Sequence, residues 1–434
     1  MSQMWHISLN KMIALLVVLF FTTSLIGSKG YQYAASILLL LGFFTFPRNI
    51  KQHMQNTQSA VIKLFSLSIL FYFGTFFFSL LIHNDKLREL DAVSRALLCI
   101  PLVYLLVKYQ LKQSTVFLAI ISGAIIAGMI AFIDAFILSK PAAFSDMMQI
   151  QGGGISMSLG VFSLCIGFYY LQQHKQKIAI ISFLASILGI SASILSTSRG
   201  AWLGLPIILP IIFYYYRHCI SKRFYLITII SLLIAIISMS LMPQFKLVER
   251  LDSAKNEIQI YFEQGNGSTS VGARFDMWKG ALFAIKEKPI TGWGKDGANK
   301  KRQEQAQAGL ISDYAGHFNQ PHNQYLEATM VRGIIGLIGL LGIFIVPLII
   351  FLKKTKNAIH TNDIKLIRLL GVIHILEVMS YCLPQGFLVH QSGTLFYFIT
   401  LSILVSLLII HFPSNADKLN NIQNQDILKM LTAQ

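Results

Sequence analysis

His322 is the residue whose type and position in this chain most favour catalysis. It lies in the segment PHNQYLEATMVRGIIG, residues 321–336, which closes the longest polar stretch of the sequence. We expect a helix to begin here, with Asn319 or Gln320 as its cap and Pro321 in its first turn. The positive end of the helix dipole favours a neutral imidazole, which can accept a proton. His322 is therefore a candidate general base; the alternative is an interfacial histidine that is simply hydrated.

Two arginines could bind an anion. Arg199 lies in STSRGAWLGL between two apolar runs, where a cation is costly and often functional. Its alternative role is to extend toward lipid headgroups. Arg274 begins the predicted ARFDMWKG helix, although the helix dipole disfavours a cation there, and this mismatch indicates an anionic ligand. The alternative for Arg274 is an ion pair with Asp276 or Glu263.

The composition is that of a membrane protein. The 434 residues are 54% hydrophobic and only 13% charged, with a mean hydropathy of +0.60, whereas soluble domains are roughly a quarter charged. We predict an all-α, polytopic membrane helix bundle of about 12 transmembrane helices with one long helical periplasmic loop. The expected spans are 12–27, 31–46, 64–83, 96–111, 115–138, 155–173, 178–197, 201–216, 224–242, 333–352, 369–389 and 394–411.

Lysines and arginines concentrate in alternate short loops, which marks those loops as cytoplasmic. Both termini are then cytoplasmic and the long segment is periplasmic. The predicted organisation is transmembrane helices 1 to 9 in 1–242, the periplasmic loop in 243–332, helices 10 to 12 in 333–412 and a cytoplasmic tail in 413–434. Much of the net charge of +17 is explained by this topology, so the charge does not indicate nucleic-acid binding.

The long loop is predicted to be helical. Apolar residues at three- and four-residue spacing indicate an amphipathic helix over 245–262, resting on the membrane surface or the bundle, and a second helix over 272–287. TGWGKDG is a glycine-rich turn, and 298–308 is expected to be an exposed polar helix. The four cysteines are scattered and no carboxylate pair has metal-ligand spacing, so we expect no disulfide, metal or cofactor.

Taken in order, these motifs resemble those of bacterial O-antigen ligases and of the superfamily that they share with O-antigen polymerases. The residues that carry the resemblance are Arg199 with Leu203, Ala273 and Arg274 with Trp278, Pro289 and GWGKDG, and His322 and Asn323 with Gly333 and Gly336. The motifs cover about 197–340, and the number of expected helices and the position of the loop extend the resemblance to the whole chain.

The resemblance implies a glycosyltransferase of the bacterial inner membrane whose active site faces the periplasm. Its donor would be a glycan on undecaprenyl diphosphate, and its acceptor a sugar hydroxyl of lipid A–core. Arg199, Arg274 and Asn323 would bind the diphosphate. His322 would deprotonate the acceptor in one inverting, metal-independent displacement.

Several alternatives remain open. Glu327, Asp296 or Asp313 could replace His322 as the base. The same superfamily includes O-antigen polymerases and enzymes that transfer glycans to pilins, although the short C-terminal tail argues against the latter. A flippase or transporter of lipid-linked glycans would place charges mid-span, where Glu377 is the conspicuous candidate. The expected partners are the donor, the acceptor and membrane lipids, and the protein is expected to be a monomer.

Overall fold

The first half of the protein is a bundle of helices. The structure is a computed structural model that describes residues 2–46, 56–218, 247–353 and 361–412. Across these residues it contains helices and no strand, which confirms the all-α prediction. The first nine helices are α1 (Ser2–Thr23), α2 (Gly30–Phe44), α3 (Asn56–His83), α4 (Asp91–Leu97), α5 (Cys99–Lys108), α6 (Gln113–Phe132), α7 (Gln149–Gln172), α8 (Gln176–Leu195) and α9 (Leu205–Tyr216).

The second half contains the polar helices and the last spans. After the residues that the structure does not describe come α10 (Leu247–Gln264), α11 (Ser270–Glu287), α12 (Lys295–Gln307) and α13 (Asp313–Gly316). They are followed by α14 (Gln324–Leu352), α15 (Asn362–Tyr381) and α16 (Gln391–Ile410). The predicted amphipathic helix over 245–262 and the helix over 272–287 correspond to α10 and α11 and are confirmed.

Seven helices in the described part of the chain are long and apolar enough to cross a membrane, so this is a multi-pass membrane protein. They are Thr57–His83, Leu87–Lys108, Gln113–Ile137, Gln149–Gln172, Gln176–Leu195, Gln324–Leu352 and Gln391–Ile410. Two shorter apolar helices, Leu9–Thr23 and Gly30–Phe44, precede them. The predicted count of about 12 spans is not established: 201–216 and 369–389 are not among the seven, and the predicted span 224–242 lies outside the described residues, as does the predicted tail 413–434.

The centre of the bundle is formed by α7 and α16, whose most apolar stretches are 89% and 94% buried. Small residues allow α7 to approach its neighbour closely. A Cβ placed on Gly189 of α8 would lie 2.8 Å from the Cα of Gly160 in α7. Helices in membranes commonly pack through such close backbone contact, because lipid is as apolar as the side chains and helix association gains no hydrophobic free energy.

One prediction about the polar helices is wrong. The segment 298–308 does form a helix within α12, but it is not uniformly exposed: Arg302 and Gln305 are buried at 2% and 3% exposure. Arg302 donates to the carbonyl of Phe318 (2.6 Å), and Gln305 donates to the carbonyl of Gly280 (2.9 Å). Arg302 and Gln305 are thus buried because they donate hydrogen bonds to backbone carbonyls of neighbouring segments.

Candidate active site

His322 lies just outside a helix rather than in its first turn. The helix α14 begins at Gln324, and its cap is Asn323, whose side-chain oxygen accepts from the backbone N–H groups of Tyr325 and Leu326 at 3.0 Å each. The predicted start at Pro321 is therefore wrong by three residues. His322 itself has a positive φ of 49°, a conformation that is uncommon for a residue other than glycine.

Side chains from the polar helices hold the segment that precedes His322. The indole N–H of Trp278 in α11 donates to the carbonyl of Pro321 (3.0 Å). The ammonium of Lys295 in α12 donates to the carbonyl of Asn319 (3.0 Å). Together with the bond from Arg302 to Phe318, these contacts fix three backbone carbonyls in the four residues before His322. Helices α11 and α12 thereby determine where the imidazole lies.

Lys295 also forms a partly buried ion pair. Its Nζ lies 2.5 Å from Oε1 of Glu327, a residue of α14 that is 3% exposed. Of the other carboxylates considered as a base, Asp296 is exposed and lies 3.5 Å from Lys86, and Asp313 is exposed at the start of α13. Glu327 is thus the carboxylate among these three that the fold brings near His322, since its charge acts on the imidazole.

The surroundings of His322 keep the imidazole neutral. Burial lowers the pKa of His322, and the positive charge of Arg274 lowers it further, followed by His390 and Arg302. The carboxylate of Glu327 opposes these effects and raises the pKa. The sequence argument also expected a neutral imidazole, but it assigned the cause to the dipole of a helix that in fact begins after His322.

Arg274 lies half-buried in α11, which begins at Ser270, two residues before the predicted start at 272. No ion pair joins it to another described residue. Asp276 instead accepts from the hydroxyl of Tyr261 and from the backbone N–H of Ser312. Glu263, the other expected partner, accepts from Gln259. The guanidinium is therefore not neutralised by either carboxylate, and its positive charge acts on His322.

Arg199 lies on a third segment of the chain. It is exposed and begins the short 3₁₀ turn Arg199–Trp202, between α8 and α9. Gly200 of that turn packs against Pro384: an added Cβ would lie 2.7 Å from the proline Cγ. Pro384 belongs to residues 382–390, which we call the 382–390 loop. The fold thus places Arg274 close enough to His322 for its charge to act on the imidazole, and Gly200, the neighbour of Arg199, packs against this loop.

The 382–390 loop is fastened to the start of α14. The backbone N–H of Gln324 donates to the carbonyl of Cys382 (2.8 Å), and the side-chain oxygen of Gln324 accepts from the N–H of Leu388 (3.0 Å). An added Cβ at Gly386 would lie 2.5 Å from Oε1 of Gln320. Sequence reasoning did not place this loop at the site, because its residues are about 60 positions away from His322 along the chain.

The two glycines after the histidine have distinct structural roles. Gly333 interrupts α14 with φ 65° and ψ −163°, and the glycine-rich turn enters at this break. There the N–H groups of Trp293, Gly294 and Ile334 donate to the carbonyls of Met330, Val331 and Pro289, at 3.0, 2.9 and 2.8 Å. Gly336 lies in the next turn, where an added Cβ would be 2.7 Å from the carbonyl of Ala328.

The described residues thus define a multi-pass helical membrane protein with arginine and histidine side chains gathered at the start of a broken helix. Within these residues no group of three or more His, Cys, Asp or Glu could hold a metal ion. A sequence model of the family described as O-antigen ligase matches residues 184–341, a range that contains Arg199, Arg274 and His322.

The chain is also similar to a protein of Haemophilus influenzae described as an uncharacterized protein. The two are 39% identical over 398 residues, which cover 92% of this chain and 98% of that protein. The chain belongs to the O-antigen ligase family, as its motifs indicated. This places it in the superfamily of membrane glycosyltransferases that contains the O-antigen ligases and polymerases.

Proposed function

We propose that this protein is an O-antigen ligase. It transfers an O-antigen glycan from undecaprenyl diphosphate to a sugar hydroxyl of lipid A–core, at the periplasmic face of the inner membrane. One observation carries the proposal: a half-buried Arg274 without an ion pair to the described carboxylates lies beside a neutral, partly buried His322 at the end of a membrane helix. This pairing suits a reaction that needs both an anion site and a base.

The arginines act on the leaving group. As the bond between the anomeric carbon and the diphosphate oxygen breaks, negative charge develops on the diphosphate, and Arg199 and Arg274 stabilise that charge. Asn323 uses its side-chain oxygen as the cap of α14. Its amide N–H groups are the part of the side chain that suits a phosphate oxygen.

His322 acts on the acceptor. Its neutral imidazole takes the proton of the sugar hydroxyl while the hydroxyl oxygen attacks the anomeric carbon. A single displacement inverts that carbon and releases undecaprenyl diphosphate. Glu327 is less suited to this role because one of its oxygens is already occupied by Lys295 at 2.5 Å.

The test compares strains that carry His322→Ala, Arg199→Ala or Arg274→Ala at wild-type protein levels. Each strain should accumulate polymerised O-antigen on its lipid carrier while lipid A–core stays bare on a gel, because loss of a positioned base costs about 10²- to 10⁴-fold in rate. Lys279→Ala, which removes an exposed cation from the same helix as Arg274, is the control and should keep the ladder.

Other outcomes identify the alternatives. A core that carries a single repeat unit would indicate a polymerase, and an unchanged ladder with altered pilin mass would indicate protein glycosylation. If the protein were a flippase, the variant strains would accumulate lipid-linked glycan at the cytoplasmic face. The residue considered for that function, Glu377, is fully buried. Normal ladders in all three variants would refute both the site and the ligase function.

A further inference from the structure

Four polar side chains, on the 382–390 loop and on the segments around His322, have buried atoms without a hydrogen-bond partner among the described residues. On α14 the unpaired atom is Oε2 of Glu327. Gln385 is 2% exposed, and neither its amide nitrogen nor its amide oxygen is paired. Oε1 of Gln320 and Nε2 of His390 are also buried and unpaired. Since the large majority of buried polar atoms in proteins are hydrogen-bonded, three such groups around one loop indicate a place where a ligand supplies the partners.

Gln385 and His390 belong to the 382–390 loop, and Gln320 meets that loop close to the proposed base. Gln320 precedes His322 by two residues, and its Oε1 faces Gly386, the neighbour of Gln385. His390, at the end of the same loop, is close enough for its charge to act on His322. Two hydrogen bonds of Gln324, one with the backbone of Cys382 and one with the backbone of Leu388, hold the loop in this position.

The chemistry of this group differs from that of the arginines. An amide both donates and accepts hydrogen bonds, and so does a neutral imidazole. Sugar hydroxyls have the same dual character, whereas a diphosphate only accepts and is bound by cations. Gln320, Gln385 and His390 therefore suit an uncharged, hydroxyl-rich ligand.

We propose that Gln320, Gln385 and His390 form a subsite that binds hydroxyl groups of the acceptor sugar. This inference rests on the proposed ligase function. The hydroxyl that His322 deprotonates must lie within hydrogen-bond distance of the imidazole, so the sugar that carries it must occupy adjacent space. Arg274 contributes the cationic part of that space for the diphosphate, and the 382–390 loop contributes the neutral part.

The experiment measures transfer by purified full-length protein in detergent, with lipid-linked donor and lipid A–core varied separately. Gln385→Ala, Gln320→Ala and His390→Ala should each raise KM for lipid A–core about 3- to 10-fold, the range expected for one net hydrogen bond. KM for the donor should stay at the wild-type value. The matched control is Gln303→Ala, which removes an exposed glutamine from α12 and should change neither constant.

The outcomes separate the subsite from the proposed function. If the wild-type protein transfers glycan to lipid A–core but all folded variants keep the wild-type KM for the acceptor, the subsite is wrong and the ligase function stands. A rise confined to the donor KM would also overturn the proposal, because the groups would then bind the donor sugar. Absence of transfer by the wild-type protein would remove the ligase function and the subsite with it. Thermal unfolding identifies any variant that fails to fold, and the two others then decide.

Discussion

The substitution Gly333→Ala tests how the break in α14 positions the site. Gly333 has φ 65° and ψ −163°, a backbone region that is essentially restricted to glycine and costs other residues about 1 to 3 kcal/mol. Space is also lacking. A Cβ at this position would lie 1.9 Å from the carbonyl oxygen of Ile290 and 2.7 Å from the backbone nitrogen of Thr291, so the glycine-rich turn must move away.

The displaced turn loses the three backbone hydrogen bonds that join residues 289–294 to 330–334. At about 1 kcal/mol each, their loss adds to the backbone strain, and the total destabilisation is about 4 to 6 kcal/mol. The turn leads directly into Lys295, which binds Asn319 and Glu327. Its displacement should therefore loosen the segment that holds His322 and lower the rate of glycan transfer.

Gly342→Ala is the matched control because it changes the same residue type in the same helix. No heavy atom lies within 4 Å of a Cβ added there, and alanine is favoured over glycine in a helix by about 0.5 to 1 kcal/mol. Thermal unfolding of both purified variants in detergent, followed by a transfer assay, makes the comparison. Equal unfolding temperatures and equal transfer rates for the two variants would refute the role assigned to the break.

Three further predictions concern the site and its topology. The kcat/KM for the donor, which reports the free enzyme, should fall as the pH drops through a pKa for His322 that lies below about 6.5 because of burial and Arg274; Arg274→Gln should move this limb to higher pH, and an unmoved limb would contradict the pairing. Excess EDTA should leave transfer unchanged, since arginines stabilise the leaving group; a loss restored by Mg²⁺ would refute this. In a cysteine-free background, Ser268→Cys and Lys300→Cys, both at exposed positions, should react with an impermeant thiol reagent in spheroplasts; protection until permeabilisation would reverse the topology.

The sequence predicted those parts of the fold that depend on local pattern. Helices α10 and α11 follow from apolar residues at helical spacing between glycines and a proline, and both were found within two residues of the expected ends. The start of α14 was missed because two local rules compete: proline is favoured in a first turn, and asparagine is favoured as a cap. Asn323 is the cap that forms, and Pro321 remains in the loop.

The parts that could not be predicted depend on contacts between distant segments. The sequence pattern predicted that Arg302 is an exposed residue of a polar helix. Its guanidinium instead donates to the carbonyl of Phe318, 16 residues away. Gln385 and His390 belong to the site only because Gln324 fastens their loop to the start of α14. Asn323 and the arginines were selected by type and motif, yet the direct influence of Arg274 on His322 required the fold.

A positive charge beside a base lowers the pKa of that base, and in the proposed mechanism this effect assists the reaction. Without donor, Arg274 lowers the pKa of His322 and keeps the imidazole unprotonated. When the diphosphate binds, its negative charge neutralises the guanidinium, and that source of depression is removed. The imidazole then becomes a stronger base in the complex in which it must take the acceptor's proton. The same interaction that stabilises the leaving group thus also strengthens the base, so that removal of Arg274 should affect both halves of the displacement.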